Sequence, residues 1–396
     1  MSDAVVIIGA GQAGAQLAMS LRQGRFSGPI VLIGDEPHLP YQRPPLSKKF
    51  LSERKAPDTL FLRPENFWRD QDVTLVLGTP AAKVDQARRR IGLVDGREID
   101  YTTLVFATGT SARAIPVPGA GLAGVYSLRG IADALRLRGG LDAATRIVIV
   151  GGGYIGLEVA SVIRGEGRQV TIVEAQDRIL KRVAGSAVAS FYDRLHRDRG
   201  VEFVLGAQLM AIEGDERVSA VRLSHDRRLP ADLVIVATGA RANDDLAAAA
   251  GIRCDDGIVV DEFARAGSPG IYAVGDCSRF PSARYQRRLR LESVQNAIDQ
   301  AKAAAASIVG TPQRYDPVPW FWSDQYESKL QIAGLADGYE RDDMIGDAGG
   351  ARFSVEYRKA ERLIAVDAVN DARAHMLSRR RIAEETDAEA GARTTS

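Results

Sequence analysis

Two glycine clusters carry the strongest chemical signal in the chain. Gly151, Gly153 and Gly156 stand at G-x-G-x-x-G spacing, and Gly9, Gly11 and Gly14 repeat that spacing near the start. In such a cluster the first glycine allows a tight turn and the second lets backbone N–H groups approach a pyrophosphate. The third lets a helix pack closely on a strand. Glu174 follows the later cluster where an acid can accept hydrogen bonds from a ribose diol and repel a 2′-phosphate. Asp35 and Glu36 follow the earlier one. Two clusters suggest two dinucleotides. A flavin beside a nicotinamide is the common chemical reason, since one passes hydride to the other. A duplicated domain with one silent site is the alternative reading.

Other candidates lie between and beyond the clusters. The run from Pro40 to Lys48 holds three prolines, which fix φ and remove donors, so a stiff extended loop is expected to hold Arg43 and Lys48. Asp276 ends an apolar run where it could reach a ligand's hydroxyls. Trp320, Phe321 and Trp322 suit a wall beside a planar ring, or a plain hydrophobic core. The two cysteines, Cys254 and Cys277, form no C-x-x-C, which argues against a redox disulfide of that type. They are also too few for a four-thiolate iron–sulfur cluster, and Cys277 reads as a small packing residue. His38, His196, His225 and His375 show no metal-ligand spacing, so no metal is expected and each reads as a surface or satisfied polar residue.

Strands and helices must hold these groups. Ala4–Ile8 and Ile147–Val150 are β-branched apolar runs that enter the glycine turns, and Ile30–Ile33 and Val170–Val173 are the next strands. Ala13, Leu17 and Leu21 share one helical face after the first turn; Ile155, Val159, Val162 and Ile163 recur at helical spacing after the second. Two further strands, from Thr103 and from Asp232, each end in Ala-Thr-Gly and bracket the later cluster. With a linker at Ser111–Pro118, they point to one domain interrupted by another, with crossings near 110–118 and 239–243. Gly78–Asp100 reads as a small antiparallel excursion. A helix with Ser293 or Glu292 at its start runs to Ile308. Alternation at Phe353, Val355 and Tyr357, a strand at Leu363–Val369 and a helix at Ala372–Ile382 make a smaller α+β domain; Glu384–Ser396 reads as a disordered tail.

Composition narrows the function classes. Hydrophobic residues make up 45% and charged residues 26%, as in an ordinary soluble protein, and 396 residues suffice for two or three domains. Lysine plus arginine (52) nearly cancels the acids (51), so net charge gives no argument for nucleic acid or a membrane surface. No apolar run approaches the ~18 residues of a transmembrane helix. Asp3 precedes a strand at once, so no signal peptide is expected and a cytoplasmic location is.

Gly9–Gly14, the run Gly34–Lys48, both Ala-Thr-Gly turns, Gly151–Glu158, Gly275-Asp276 and the run Pro319–Gln325 together resemble the flavin-dependent ferredoxin reductases of bacterial oxygenase systems, the putidaredoxin reductase type. The resemblance runs from Val5 to about Ile382. It implies a glutathione-reductase-like α/β fold with two Rossmann-type dinucleotide-binding domains and a C-terminal α+β domain. The FAD domain would be 1–112 and 240–315, the NADH domain 113–239, and the C-terminal domain 316–383 before the tail 384–396. For FAD it implies the first glycine cluster, Asp35 on the ribose, Arg43 and Lys48 at the diphosphate and ring, Ala107, Asp276 on the ribityl chain, the backbone at Val294, and Trp322 close to the ring. For NADH it implies Gly151, Gly153, Ile155, Gly156, Gly239, Glu174 on the ribose and Glu158 on the nicotinamide amide. Tyr154 would shield the flavin until nicotinamide arrives. Lys48, Tyr154, Glu158 and Trp322 would thus stand at the reacting centre. Arg178 is a departure: a nearby cation would tolerate a 2′-phosphate, although Glu174 should win at closer range.

The implied activity passes electrons from NADH through FAD to a small acidic two-iron two-sulfur ferredoxin, which feeds an oxygenase of the cytochrome-type haem monooxygenase class. Such a contact is transient, on a chain that is a monomer or weak dimer. Candidate docking cations are Lys48, Lys49, Arg284, Arg287, Arg288 and Arg290. An NADH oxidase or quinone or dye reductase of the same fold is a second reading. An NADH-sensing redox binding protein resembling apoptosis-inducing factor is a third.

Overall fold

The computed structural model describes residues 3–394, with side chains through residue 385. Its principal elements, in chain order, begin with β1 (Val5–Ile8), α1 (Gln12–Gln23), β2 (Ile30–Ile33), β3 (Val73–Val76) and β4 (Thr103–Phe106). Next come β5 (Val125–Ser127), β6 (Arg146–Val150), α2 (Tyr154–Gly165), β7 (Gln169–Glu174), α3 (Ser186–Asp198), β8 (Val201–Leu205) and β9 (Leu233–Val236). They end with β10 (Ile271–Ala273), α4 (Val294–Ile308), β11 (Trp320–Gln325), β12 (Ser328–Gly334), β13 (Arg341–Asp347), β14 (Arg352–Lys359), β15 (Arg362–Val369) and α5 (Ala372–Thr394).

The chain divides into two compact units. The first comprises 1–42, 57–111 and 241–319; the second comprises 43–56, 112–240 and 320–396. In the first unit, a parallel sheet has the order β10-β4-β1-β2-β3. All four residues of β1 are buried, as a strand covered on both faces requires. From β1 the chain moves outward to β2 and β3, then returns to β4 on the other side of β1. The order therefore reverses beside β1, and the crevice at such a reversal is where doubly wound sheets bind ligands. Ala13, Leu17 and Leu21 of α1 are buried, in the same core as Ala297, Ala301, Ala304 and Ala305 of α4. Small side chains on both helices allow close approach. The excursion after Gly78 is a three-stranded antiparallel sheet, Ala81–Asp85, Arg90–Leu93 and Glu98–Asp100.

The second unit repeats the plan with the parallel order β8-β7-β6-β9-β5, and its reversal lies beside β6. An antiparallel sheet in the order β11-β12-β15-β14-β13 belongs to the same unit. Its register puts Phe321, Ile332, Asp367 and Val355 in one row, and Ser323, Leu330, Val369 and Phe353 in the next of the same face.

Two local expectations are corrected. The segment after Arg43 is no extended loop: Pro44–Ser47 is a 3-10 turn leading into a short helix, Lys49–Glu53. Proline at a helix start loses no hydrogen bond there, and its fixed φ suits the turn. The C-terminal segment expected as disordered tail continues α5 to Thr394. The Arg380 guanidinium pairs with Glu384 at i, i+4, and Glu385 accepts from the Leu363 N–H, which ties this stretch to β15. Thr395 and Ser396, the end of that expected tail, lie outside the described residues. Among the described residues no helix is long and apolar enough to cross a membrane.

Candidate functional site

The two glycine turns are alike in detail. Gly9 has φ +117°, and a Cβ there would lie 2.1 Å from the Ala107 carbonyl oxygen at the end of β4. Gly14 approaches the Gly9 carbonyl so closely that a Cβ would lie 2.0 Å from its oxygen. In the second unit Gly151 has φ +113° and would meet the Ala237 carbonyl at 2.4 Å, and Gly156 would meet the Gly151 carbonyl at 2.1 Å. Fold geometry alone requires these four. The middle glycines differ: nothing lies within 4 Å of a Cβ built on Gly11 or Gly153. Each is the N-cap of its helix, with no side-chain cap and no acid in the first turn. Both turns therefore leave free N–H groups and the positive end of a helix facing open space, a cradle fitted to a pyrophosphate.

In the first unit Gly275 packs against α1, where a Cβ would come 2.9 Å from that of Ala13. The Gly275 N–H and the Ser278 hydroxyl both donate to Gln300 Oε1, at 2.8 and 2.7 Å, which ties the Asp276 turn to α4. Thr110 donates to Asp276 Oδ2 at 3.4 Å. Ser293 caps α4 by accepting from the Asn296 N–H at 3.1 Å, and half-buried Val294 follows as its first residue. The unit thus gathers the first glycine turn, Ala107 and Asp276 around the crevice beside β1. Asp35 stands exposed just beyond β2. Burial pushes both thiols up, Cys254 to about 11, so neither is a ready thiolate.

In the second unit Glu174 grips its own glycine turn. Its Oε2 accepts from the Gly152 N–H at 2.8 Å and its Oε1 from the Gln176 N–H at 2.9 Å. Arg178 is engaged elsewhere, donating to the carbonyls of Ala184 at 3.0 Å and Ile179 at 3.4 Å. Its guanidinium donors are thus committed to carbonyls of its own loop. Ile155 is 44% exposed although its spacing matches the core positions of α2. It sits in the first helical turn, level with the glycine cradle, and Val183 is exposed too. Gly239 has φ +101° with Arg182 nearby.

Glu158, one turn into α2, is 4% exposed. Burial raises the pKa of its carboxyl, and three donors oppose that shift. Lys48 Nζ lies 3.0 Å from Oε1, and Ser323 Oγ donates to Oε1 at 2.7 Å. Ser47 Oγ donates to Oε2 at 2.6 Å. Each carboxylate oxygen can accept two bonds. Oε1 is therefore filled by these groups, and Oε2 retains one acceptor position. Lys48 also lies 4.0 Å from Asp324. The Tyr154 hydroxyl donates to the Val183 carbonyl at 3.1 Å, and its ring packs on Phe321 with centroids 4.7 Å apart. Trp322 is half-buried, its ring 5.8 Å from Trp320 and 6.4 Å from Phe321. Arg43 donates to the Arg129 carbonyl at 2.9 Å.

The second unit thus brings Lys48 and Glu158 into an ion pair and sets Tyr154 beside the aromatic strand. Ser47 and Ser323 were not singled out from sequence. Their signal was present, since each adjoins a marked residue, but a lone serine announces no partner 111 or 165 residues away.

Comparison with known proteins agrees with this geometry. The family model for pyridine nucleotide-disulphide oxidoreductases matches residues 3–301, and one for a reductase C-terminal domain matches residues 320–394. Rhodocoxin reductase of Rhodococcus erythropolis is 42% identical over 96% of this chain and 90% of its own. Among solved structures, the ferredoxin reductase for the CYP199A2 system from Rhodopseudomonas palustris superposes with a TM-score of 0.91 at 41% identity, covering 93% of this chain and 91% of that one. The covalent putidaredoxin reductase–putidaredoxin complex gives a TM-score of 0.93 at 40% identity, covering 96% of this chain and 93% of that one. The chain belongs to the pyridine nucleotide-disulphide oxidoreductase family and, along nearly its whole length, to the ferredoxin reductases within it.

Proposed function

We propose that the chain is an FAD-dependent reductase that takes electrons from NADH and passes them to a ferredoxin serving an oxygenase. The observation that carries the reading is the open middle glycine, Gly11 and Gly153, in two otherwise fold-dictated turns. A silent duplicate would have no reason to keep either cradle clear. The first unit holds FAD on Gly9, Gly11, Gly14, Ala107, Asp276 and Val294, with Asp35 beyond β2 for the ribose. The second holds NADH on Gly151, Gly153, Ile155, Gly156 and Gly239, with Glu174 on the ribose. Arg43, Lys48, Tyr154 and Trp322 keep the flavin-side roles that the family resemblance implies. On this reading the chain folds as an FAD domain of 1–112 and 240–315, an NADH domain of 113–239 and a C-terminal domain from 316.

FAD, when bound, supplies the conversion of a hydride's electron pair into two single-electron transfers. The protein's own work is positioning, and oriented reactants recover roughly 7–11 kcal/mol of a barrier. Glu158 accepts a carboxamide N–H of the nicotinamide at the open position on Oε2, and Lys48 keeps the carboxylate charged. Cys254 and Cys277 are free thiols and so already reduced, which leaves no disulfide to take the electrons, and the acceptor lies outside the chain.

That acceptor, on this proposal, is a small acidic ferredoxin of the two-iron two-sulfur type, bound transiently by a cytoplasmic monomer or weak dimer. Relatives named as ferredoxin reductases and the putidaredoxin reductase–putidaredoxin complex support a ferredoxin partner. Arg287 and Arg288 are exposed, and Arg290 is paired with Asp256 and Glu292. The test is NADH-driven cytochrome c reduction with and without a panel of ferredoxins from the same genome. Turnover that depends on one ferredoxin supports the reading. Fast turnover with oxygen alone points to an oxidase, and a long-lived reduced flavin with NADH-dependent oligomerisation points to a redox sensor.

A further inference from the structure

A line of buried polar side chains leads away from Glu158, and the reduction chemistry leaves it without a task. Ser323 Oγ, which donates to Glu158 Oε1, itself accepts from Gln325 Nε2 at 3.2 Å. Gln325 Oε1 lies 2.9 Å from His196 Nε2, and His196 Nδ1 lies 3.4 Å from the Tyr326 hydroxyl. Ser323, Gln325 and His196 are each 0% exposed. They are supplied by β11 and α3, whereas Glu158 is on α2. Buried polar groups of this kind cost stability unless every one is satisfied, so the line needs an explanation.

Its directions are linked. An ionised Glu158 only accepts, so Ser323 must donate to it, Gln325 must turn its amide N–H to Ser323, and its carbonyl must face His196. His196 then carries its proton on Nε2, and Nδ1 accepts from Tyr326. Every donor points toward the carboxylate. A protonated Glu158 would suit the opposite order, with the Gln325 amide rotated and the other histidine tautomer. The polarity of the line and the ionisation of Glu158 therefore belong together. Burial holds His196 neutral, with its pKa lowered to about 4, so the imidazole is available in this role at neutral pH. The charged and titratable groups facing the line are Lys48, Tyr154, Tyr192 and, beyond them, Asp324 and Asp367 near Glu158; Asp193 and Arg199 near His196; and Arg199, Arg164 and Glu327 near Tyr326.

We propose that Gln325 and His196 are positioning residues for Glu158: through Ser323 they hold its carboxylate ionised and fixed, with one acceptor position on Oε2 kept open for the nicotinamide carboxamide. The inference rests on the reading of Glu158 as the nicotinamide contact, but its central claim, control of the Glu158 charge, can be tested without any nucleotide. The pKa of Glu158 is read by infrared difference titration, wild type against Glu158→Gln, in the protein as purified. Ser323→Ala removes a donor to the buried carboxylate and should raise that pKa by about one unit, a tenfold shift in protonation; Gln325→Leu and His196→Phe, which act through Ser323, should raise it in the same direction by less. His196→Gln restores a donor toward Gln325 and should return the pKa to the wild-type value. Nitrogen-15 spectra of labelled histidine should show His196 as the Nε2–H tautomer. The KM for NADH should rise about three- to tenfold in Gln325→Leu with kcat changed less than twofold, since uniform binding is what is lost. An unchanged Glu158 pKa in whichever of these variants fold, or an Nδ1–H tautomer of His196, overturns the proposal. If Glu158→Gln leaves the KM for NADH unchanged, the nicotinamide assignment fails, while the titration still decides whether the line governs the carboxylate.

Discussion

The contrast between glycines within one turn makes the sharpest test. At Gly153 the backbone has φ −85° and ψ −176°, which alanine adopts freely, and a methyl group there meets no protein atom within 4 Å. An alanine N-cap costs about 0.5–2 kcal/mol against the best caps and somewhat less against glycine. Reduced freedom of the unfolded chain returns about 0.4–1 kcal/mol. Gly153→Ala should therefore melt within roughly 3 °C of wild type, since 1 kcal/mol moves Tm by about 2–4 °C in proteins of 150–250 residues. The added methyl stands where a pyrophosphate must approach. Crowding of that kind costs about 1–3 kcal/mol, which is roughly a 5- to 150-fold rise in the KM for NADH. Gly151→Ala is the opposite case. Its φ of +113° and a 2.4 Å approach to the Ala237 carbonyl are both structural faults. About 1–3 kcal/mol for the backbone and as much again for the overlap take a large share of a typical stability of about 5–15 kcal/mol. That variant should lose on the order of 10 °C in Tm or fail to accumulate as soluble protein. Fluorescence melting reads the Tm and NADH–ferricyanide kinetics read the KM for NADH. If Gly153→Ala melts as low as Gly151→Ala, or binds NADH within twofold of wild type, the assignment of that cradle is wrong.

Three other outcomes are expected. Glu174→Ala should raise NADPH use relative to NADH, because it removes a carboxylate that repels a 2′-phosphate; Arg178→Ala should leave the kcat/KM ratio of the two within about twofold, because its guanidinium is bound to the Ala184 and Ile179 carbonyls. Asp367 is buried, accepts from the Tyr357 hydroxyl at 2.7 Å and has its pKa raised to about 7 by burial. A raised folded-state pKa gives stability that is present below the unfolded value near 4 and lost as pH rises through 7, so wild-type Tm should fall between pH 5 and 8 while Asp367→Asn loses that slope. Reversing Arg287 and Arg288 to glutamate should raise the KM for ferredoxin and spare that for NADH; added salt should slow ferredoxin reduction and not ferricyanide reduction, as the Debye length shrinks from about 10 Å at 0.1 M to about 3 Å at 1 M.

Much of the architecture is written locally, which is why it could be read. Strand, glycine turn, helix and acid follow one another within about thirty residues, and the four apolar residues of β1 or the four of β6 (Ile147–Val150) admit few other readings. What the sequence hid depends on distance or on competition. The 3-10 turn at Pro44–Ser47 is not legible locally, because prolines stiffen an extended segment and start a helical one equally well. Helical spacing groups Ile155 with Val159 and Ile163, yet Ile155 stands exposed in the first turn, because periodicity ignores where the helix begins. The helical run past Glu384 is hidden from composition, which does not show an i, i+4 pair or an acid reaching back to a strand. Ser47 and Ser323 could not be paired with Glu158 because nothing local links positions more than a hundred residues apart.

The antiparallel sheet of the second unit shows why such pairings gather where they do. Alternation along β11 sends Phe321, Ser323 and Gln325 to one face and Trp320, Trp322 and Asp324 to the other. The first face meets α2 and α3 with polar groups at its centre: Ser323 on Glu158 and Gln325 on His196. Tyr357, from the same face, donates to Asp367 and accepts from the Gly185 N–H at the start of α3. Purely apolar packing would be less costly and would slide more easily. A face that must hold one carboxylate at one ionisation state cannot be free to slide, because a shift of one residue would exchange Ser323 for Trp322 or Asp324. The polar contacts fix the register, and the register fixes Glu158. If Glu158 is the proposed nicotinamide contact, the C-terminal sheet is part of that site although none of its first-face residues need touch the nucleotide.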